Sequence, residues 1–425
     1  MARNLSTLPT EIIEMISADL GPDQRHFRLV CKEIHQKAYR SWIQIFESLV
    51  TDLSRSSFHE FFEHFQYLKY CRSLTIKGDE YAEGDMKRRL GHGLKWRRNG
   101  HDILDEKNAG YNLLYKLLVD CLPNCNSVCL FPGYEANLHS DIEFARTSPP
   151  TGADVLSMVY FIAATAEKKI NRLHLPPPDS YRSTSCCMIP EVVIFDTVYS
   201  KSFWGNMTEL SVDLYVLQGC EEEDMLWILQ TATNLTSLTV TNFYDDGYLA
   251  ISWLQALCNH NAPSRLRSLS LGSVAVDYAV LDGLIKAQKQ TLTSLKLSGI
   301  SIYPPSWAQF FNTASQILQK LTFVDVGMLN QGAFMFPGLC NPLVAMDGPP
   351  PSPPNDFPFD EDDPWRLEYD LTFYEAVRAL PLKTSATIDK EFMEPQDVLI
   401  YDVSYEGPEM AKALHCISQA VYKCR

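Results

Sequence analysis

The chain has 425 residues, 46% of them hydrophobic and 21% charged, with a formal net charge of −15 at pH 7. That is a globular composition with room for one to three domains, and its acidity argues against nucleic acid as the main partner, because phosphate binding needs a basic face. The opening "MARNLSTLPT" is polar and no apolar run is long enough to span a bilayer, so neither a secretory signal nor a membrane partner is expected.

The 12 cysteines are accordingly expected as reduced core thiols of a cytoplasmic or nuclear protein. In chain order, Leu8, Ile12, Ile13, Ile16 and Leu20 mark one face of a first helix. Pro9 suits its first turn and Glu11 the positive end of its dipole. Gly21-Pro22 ends it, and Asp23 caps a short second helix with Phe27, Leu29 and Val30. A third helix is predicted with Ile34, Ala38, Trp42, Ile45, Phe46 and Leu49 on one side. Three helices this small bury too little surface to stand alone.

The residues "LPTEII", Ile16, Leu20, Asp23, "RLVCK" and Ala38, in this order, resemble an F-box. The resemblance covers residues 5 to 46. It implies docking on the Skp adaptor of a cullin–RING ubiquitin ligase through Leu8, Pro9, Ile12, Ile16, Leu29, Val30 and Cys31, with Lys32 at the edge. The sequence departs from the family at the turn before Asp23, which is one residue short, at Gln24, where the family usually has leucine, and at Glu33-Ile34.

The rest of the chain repeats an apolar-x-x-apolar-x-apolar pattern. Clear copies are "LTSLTV", "LRSLSL", "LTSLKL" and "LQKLTF", with central leucines Leu238, Leu269, Leu295 and Leu321. Weaker copies are "CRSLTI", "CNSVCL", "INRLHL" and "MTELSV". Helical patterns lie between them, among them "YNLLYKLLVDCL", "DVLSMVYFIAATAEK", "YLAISWLQALCNH" and "AVLDGLIKAQKQ". The central leucines are 31, 26 and 26 residues apart, and a strand and a helix recurring at this period resemble divergent leucine-rich repeats, in which each unit buries its apolar edge only by stacking on its neighbours. The expected fold is therefore an α/β solenoid: a three-helix F-box at 1–50, an irregular leucine-rich repeat horseshoe at 58–330 with insertions at 78–108 and 131–152, a Pro/acid-rich insertion at 331–364, and a C-terminal cap at 365–425. The family's turn asparagine falls here on Phe243, Val274, Ile300 and Val326, so packing is expected to hold the turns.

Alternation along each strand predicts the exposed inner face. It carries Ser237, Thr239 and Thr241; Ser268, Ser270 and Gly272; Ser294, Lys296 and Ser298; and Lys320, Thr322 and Val324. Upstream it carries Ser73, Thr75 and Lys77; Ser127, Cys129 and Phe131; Arg172, His174 and Pro176; and Glu209, Ser211 and Asp213. Candidate target contacts are Arg172, His174, Lys296 and Lys320, with Trp96, Arg97 and Arg98 of the basic stretch 86–101. Past Trp365 a helix ("LTFYEAVRALPL"), a strand ("QDVLIYDVSYEG") and a final helix are predicted.

No catalytic constellation stands out: there is no Gly-rich phosphate loop, GxSxG elbow or HExxH, and Cys121, Cys125 and Cys129 fit a helix end and a strand. No cofactor or metal is expected. The resemblance implies a non-catalytic substrate receptor that holds a target protein for ubiquitylation. The alternative is a leucine-rich repeat scaffold whose N-terminal helices are a cap or bind another partner.

Overall fold

Strands form where the apolar-x-apolar centre of the repeated pattern recurs, and helices where the period lengthens to that of a helix. The computed structural model describes residues 8–19, 31, 33–34, 48–51, 53–63, 68–77, 94, 108–131, 150, 152–176, 198–214, 222–242, 249–250, 253–258, 265–303, 307–327, 332–334, 366–370, 383–387 and 402–423. It is an α/β protein with a mostly parallel sheet. The chain divides into two units, Met1–Met207 with Val216–Gly219, and Thr208–Tyr215 with Cys220–Arg425.

The first unit holds helix α1 (Thr10–Asp19), strand β1 (Ser48–Thr51), α2 (Arg55–Glu63), β2 (Ser73–Lys77), α3 (Ala109–Lys116), β3 (Ser127–Phe131), α4 (Gly152–Thr165), β4 (Arg172–Leu175) and α5 (Val198–Gly205). Helix α3 runs on as a π turn, Leu117–Cys121. Its strands are parallel in the order β1-β2-β3-β4. Leu74, Val128 and Leu173 share one register row and are each at most 2% exposed. Tyr160 of α4 meets Phe203 of α5 edge to face at 5.5 Å, and Trp204 beside it is fully buried.

The second unit contains β5 (Glu209–Asp213), α6 (Glu222–Thr231), β6 (Ser237–Thr241), β7 (Leu249–Ala250), a 3₁₀ helix (Trp253–Cys258), β8 (Ser268–Gly272), β9 (Val274–Asp277), α7 (Tyr278–Ala287), β10 (Ser294–Ser298), β11 (Ser301–Tyr303), α8 (Trp307–Ile317), β12 (Phe323–Gly327), β13 (Gly332–Phe334), β14 (Arg366–Asp370), β15 (Lys383–Thr387), β16 (Asp402–Glu406), α9 (Met410–Ala420) and β17 (Val421–Lys423). Strands β5-β6-β8-β10-β12 are parallel neighbours. The antiparallel strands β16-β15-β14 then extend that sheet, and α8 packs on α9.

One hydrogen-bond pattern recurs at the strand entrances of both units. The carbonyl before a strand accepts two successive N–H groups of the next segment. Arg72 takes Asn126 and Ser127; Asn126 takes Asn171 and Arg172; Thr208 takes Thr236 and Ser237. Thr236, Arg267 and Thr293 do the same for the strands that follow them. In the second unit threonine hydroxyls add to it: Thr236 donates to the Thr208 carbonyl, Thr293 to that of Arg267 and Thr322 to that of Thr293, at 3.0 to 3.1 Å.

The turns after the strands are held by backbone as well as by packing. Val274 and Ile300 are fully buried, as expected where the family has asparagine. A short second parallel ladder, β7-β9-β11, also runs through these turns. The N–H groups of Asn242, Ser273 and Gly299 donate to the carbonyls of Gly272, Ser298 and Gly327. Ser273 and Gly299 occupy equivalent sites with left-handed φ of 52° and 63°. A Cβ on Gly299 would lie 3.0 Å from Ser273 Oγ and would carry the strain of a left-handed φ, so glycine is favoured there. Asp277 then ends β9 and caps α7, accepting the Ala279 N–H at 2.6 Å.

The structure corrects several expectations. Residues 48–51 are a strand and not the end of a third helix: Leu49 pairs with Leu74 across a parallel ladder, so the sheet begins inside the span 1–50. The fourth clear copy is shifted by one step of the pattern. Leu295 pairs with Val324 and not with Leu321, so Val324 and Val326 are the buried pair and Phe323, Asp325 and Gly327 alternate with them. Val326 is therefore no turn residue. "YLAISWLQALCNH" forms a two-residue strand and a 3₁₀ helix where a full helix is expected. Strand β13 enters the span 331–364 and pairs with β17, which replaces the last turn of the final helix. The helix expected at "LTFYEAVRALPL" lies outside the described residues, as do most of the insertions 78–108 and 131–152.

Candidate functional site

Two surfaces carry the candidate residues: the first helix, and the sheet face turned away from the core. On α1, Ile13 is fully buried, while Pro9 and Glu11 are exposed, Ile12 is 41% exposed and Met15 64%. Leu8 and Ile16 are half-buried. The expected single apolar face of Leu8, Ile12, Ile13 and Ile16 is thus split: Ile13 anchors the helix and the others leave apolar surface in water. Met15 belongs to that exposed set and was missed because Leu8, Ile12 and Ile16 already filled the periodic pattern. Cys31 is half-buried, and its sulfur accepts the N–H of the buried Ile34 at 3.5 Å. Leu29, Val30 and Lys32 lie outside the described residues, as do Trp96, Arg97 and Arg98.

On the sheet, the alternating residues sort as a half-buried strand demands. In the first unit Arg172 and His174 are exposed, and Ser73, Thr75, Lys77, Ser127 and Cys129 half-buried. Register places Ser73, Ser127 and Arg172 in one row, and Thr75, Cys129 and His174 in the next. Ser73 Oγ donates to Ser127 Oγ at 3.3 Å. Although the residue as a whole is exposed, partial desolvation of its ring holds the His174 imidazole below the usual histidine range, so it is neutral at pH 7. Burial pushes the Cys129 thiol up to about 11, which makes Cys129 a poor nucleophile at neutral pH.

In the second unit Lys296 pairs with Asp325 on the neighbouring strand at 2.9 Å, so its charge is already met. Lys320 sits in the turn before β12 and not on the sheet face, a consequence of the shifted fourth copy. Asp213 is fully buried and accepts the Thr241 hydroxyl at 2.7 Å, so it leaves the exposed set. Pro176 is also buried, beyond the end of β4.

The buried cysteines serve structure. Cys71 and Cys125 occupy matching positions before β2 and β3, and each donates its thiol to the carbonyl two residues on, of Ser73 and Ser127. The neighbouring Cys125 side chain, together with burial, pushes the Cys71 thiol up; both cysteines are free. Lys168 donates to the carbonyls of Leu122 and Pro123 beyond α3, a cation at a helix C-terminus. Beside it, a notch of about 430 Å3 lies between the end of α4 and α5, with Val198 and Tyr199 exposed on its wall. Among the described residues no group of three or more His, Cys, Asp or Glu side chains is placed to hold a metal ion. Nor is any described helix long and apolar enough to cross a membrane.

Comparison with known proteins adds no family: no family model matches the chain, and no curated protein matches it.

Proposed function

We propose that the chain is a substrate receptor of a Skp–cullin–F-box ubiquitin ligase. Residues 1–50 would form the F-box that docks the Skp adaptor, and the strand–helix units would stack as a leucine-rich repeat solenoid that holds a target protein. The ligase's other subunits would perform the transfer, in the cytoplasm or nucleus, and this chain would act by raising effective concentration. The supporting observation is the exposed apolar surface of α1, where Pro9, Ile12 and Met15 face water while Ile13 anchors the helix. Exposed apolar clusters of this kind mark interaction sites.

The test is co-purification with the Skp adaptor. Wild type should retain it, and Leu8→Ala with Pro9→Ala should lose at least tenfold of it while the far-UV dichroism stays unchanged. No adaptor on the wild type, or full retention by the double variant, overturns the reading.

One observation favours a second reading, a repeat scaffold whose N-terminal helices only cap the sheet. Strand β1 pairs directly with β2, so the N-terminal segment runs straight into the ladder. Under that reading, removing residues 1–47 abolishes cooperative unfolding. Under the receptor reading it leaves the transition in place.

A further inference from the structure

Helix α4 ends on a residue that suits neither its backbone nor its charge. The Lys168 N–H donates to the Ala163 carbonyl at 2.9 Å to close the last turn, and Glu167 within that turn takes a left-handed φ of 52°. Glycine is the usual residue at such a site, because a side chain is strained there. A carboxylate is misplaced as well, since the C-terminal carbonyls are the negative end of the helix dipole. Glu167 is exposed, and its side chain makes no ion pair or hydrogen bond among the described residues. Backbone strain and unfavourable charge at one exposed side chain point to a use outside the fold.

Glu167 lines the notch of about 430 Å3 between the end of α4 and α5. Helix α5 brings Val198 and Tyr199 to the same notch, 80% and 59% exposed, and the buried Ile170 and Phe203 also line it. Apolar side chains left in water beside a cleft mark a protein contact. We infer that this notch binds an arginine side chain on a peptide segment of a protein partner. A guanidinium has a flat face that stacks on the Tyr199 ring and a fork that meets both oxygens of Glu167. Its aliphatic stem lies along apolar surface such as that of Val198. The negative end of α4 adds to the pull of the carboxylate, and the net charge of −15 favours the approach of a basic segment. Lysine fits less well, because its ammonium is compact, strongly hydrated and without a fork. Of the two lysines on the notch wall, Lys168 is turned to the carbonyls of Leu122 and Pro123. Lys169 is exposed there and opposes an incoming cation. The inference does not depend on the receptor reading.

The experiment uses the full chain, immobilised, and four degenerate nine-residue peptide libraries that differ only at a fixed central position: arginine, lysine, citrulline or glutamate. The arginine library should be retained about tenfold better than the citrulline library, the effect of a charge-assisted pair, and severalfold better than the lysine library. Glu167→Gln should remove both margins. Tyr199→Ala should remove the margin over lysine, and Tyr199→Phe should keep it, since the ring face is used and not the hydroxyl. Lys169→Ala should raise arginine retention. The sharpest variant is Glu167→Gly, which relieves the left-handed strain while deleting the carboxylate. Its melting temperature should rise and its arginine preference should vanish. A Glu167 that serves only the fold predicts the reverse, a lower melting temperature with unchanged retention, and that result overturns the proposal. Equal retention of the arginine and lysine libraries also overturns it, since a general attraction of basic peptides to an acidic chain then accounts for binding. So does an arginine preference that survives Glu167→Gln, or one that is lost in Lys169→Ala. Thermal unfolding of each variant establishes that it folds.

Discussion

The two units are built by the same rule and decorated differently. In both, a carbonyl before one strand accepts two N–H groups from the next, and alternate apolar residues are buried. In the second unit the register row Leu238, Leu269, Leu295, Val324 advances by 31, 26 and 29 residues. In the first, Leu49, Leu74, Val128 and Leu173 advance by 25, 54 and 45. Strand pairing therefore does not depend on a constant repeat length. The outward residues differ too: cationic with hydroxyls in the first unit, acidic on balance in the second. The packing rule constrains only the inward positions, and the outward ones are left to chemistry.

If the units share one packing rule, equivalent core truncations should cost the same. Leu295→Ala and Leu173→Ala, both nearly unexposed, should each cost about 2 to 5 kcal/mol in urea unfolding. A much smaller cost at Leu173 would break the equivalence. Next in size is Gly299→Ala, which forces a side chain into a left-handed turn against Ser273 and should cost about 1 to 3 kcal/mol.

The threonine reinforcement sharpens the contrast, because the matching sites of the first unit hold Arg72, Asn126 and Asn171. Thr293→Val should cost about 0.5 to 1.5 kcal/mol, the net worth of one hydrogen bond, readable as a shift in urea midpoint. A smaller effect is expected from the Lys296–Asp325 pair. Its double-mutant coupling should be at most about 1 kcal/mol and should fall with added salt, since Lys296 is half exposed. Last, the pH dependence of Cys129 alkylation should report the burial of the first unit's face. With its pKa raised to about 11, the folded protein should react slowly at pH 9 and speed up as pH rises towards 11, whereas the urea-unfolded chain should reach its plateau earlier. Identical profiles would mean that the thiol is fully solvated.

Much of the second unit was legible in the sequence, because short connections keep "LTSLTV", "LRSLSL" and "LTSLKL" near a common period. The fourth copy misled because "LQKLTF" matches the pattern as well as the true "LTFVDV" does. Only pairing with Leu295 decides between them, and pairing is not a local property. Strand β1 was hidden for a similar reason: Ile45, Phe46 and Leu49 fit a helical period, and four residues are too few to show alternation. The strands β14 and β15 lie outside the repeated pattern: "RLEYD" alternates over only five residues and "KTSAT" is polar, and they pair antiparallel with each other. At the candidate sites, residue types pointed to Arg172 and His174 correctly as exposed. Sequence could not foresee that Asp325 engages Lys296 or that Asp213 is buried, because both depend on which strand lies alongside.

The shared carbonyl at each strand entrance has a practical meaning. It works like a notch on a ruler: it fixes where the next segment begins, whatever length of chain lies between. The advance of 54 from Leu74 to Val128 is set by the same kind of notch as the advance of 26 from Leu269 to Leu295. The connecting segments are thus open to grafting. Foreign loops inserted between a helix end and the next notch should leave the ladder intact, so recognition elements can be exchanged while the frame that carries them is kept.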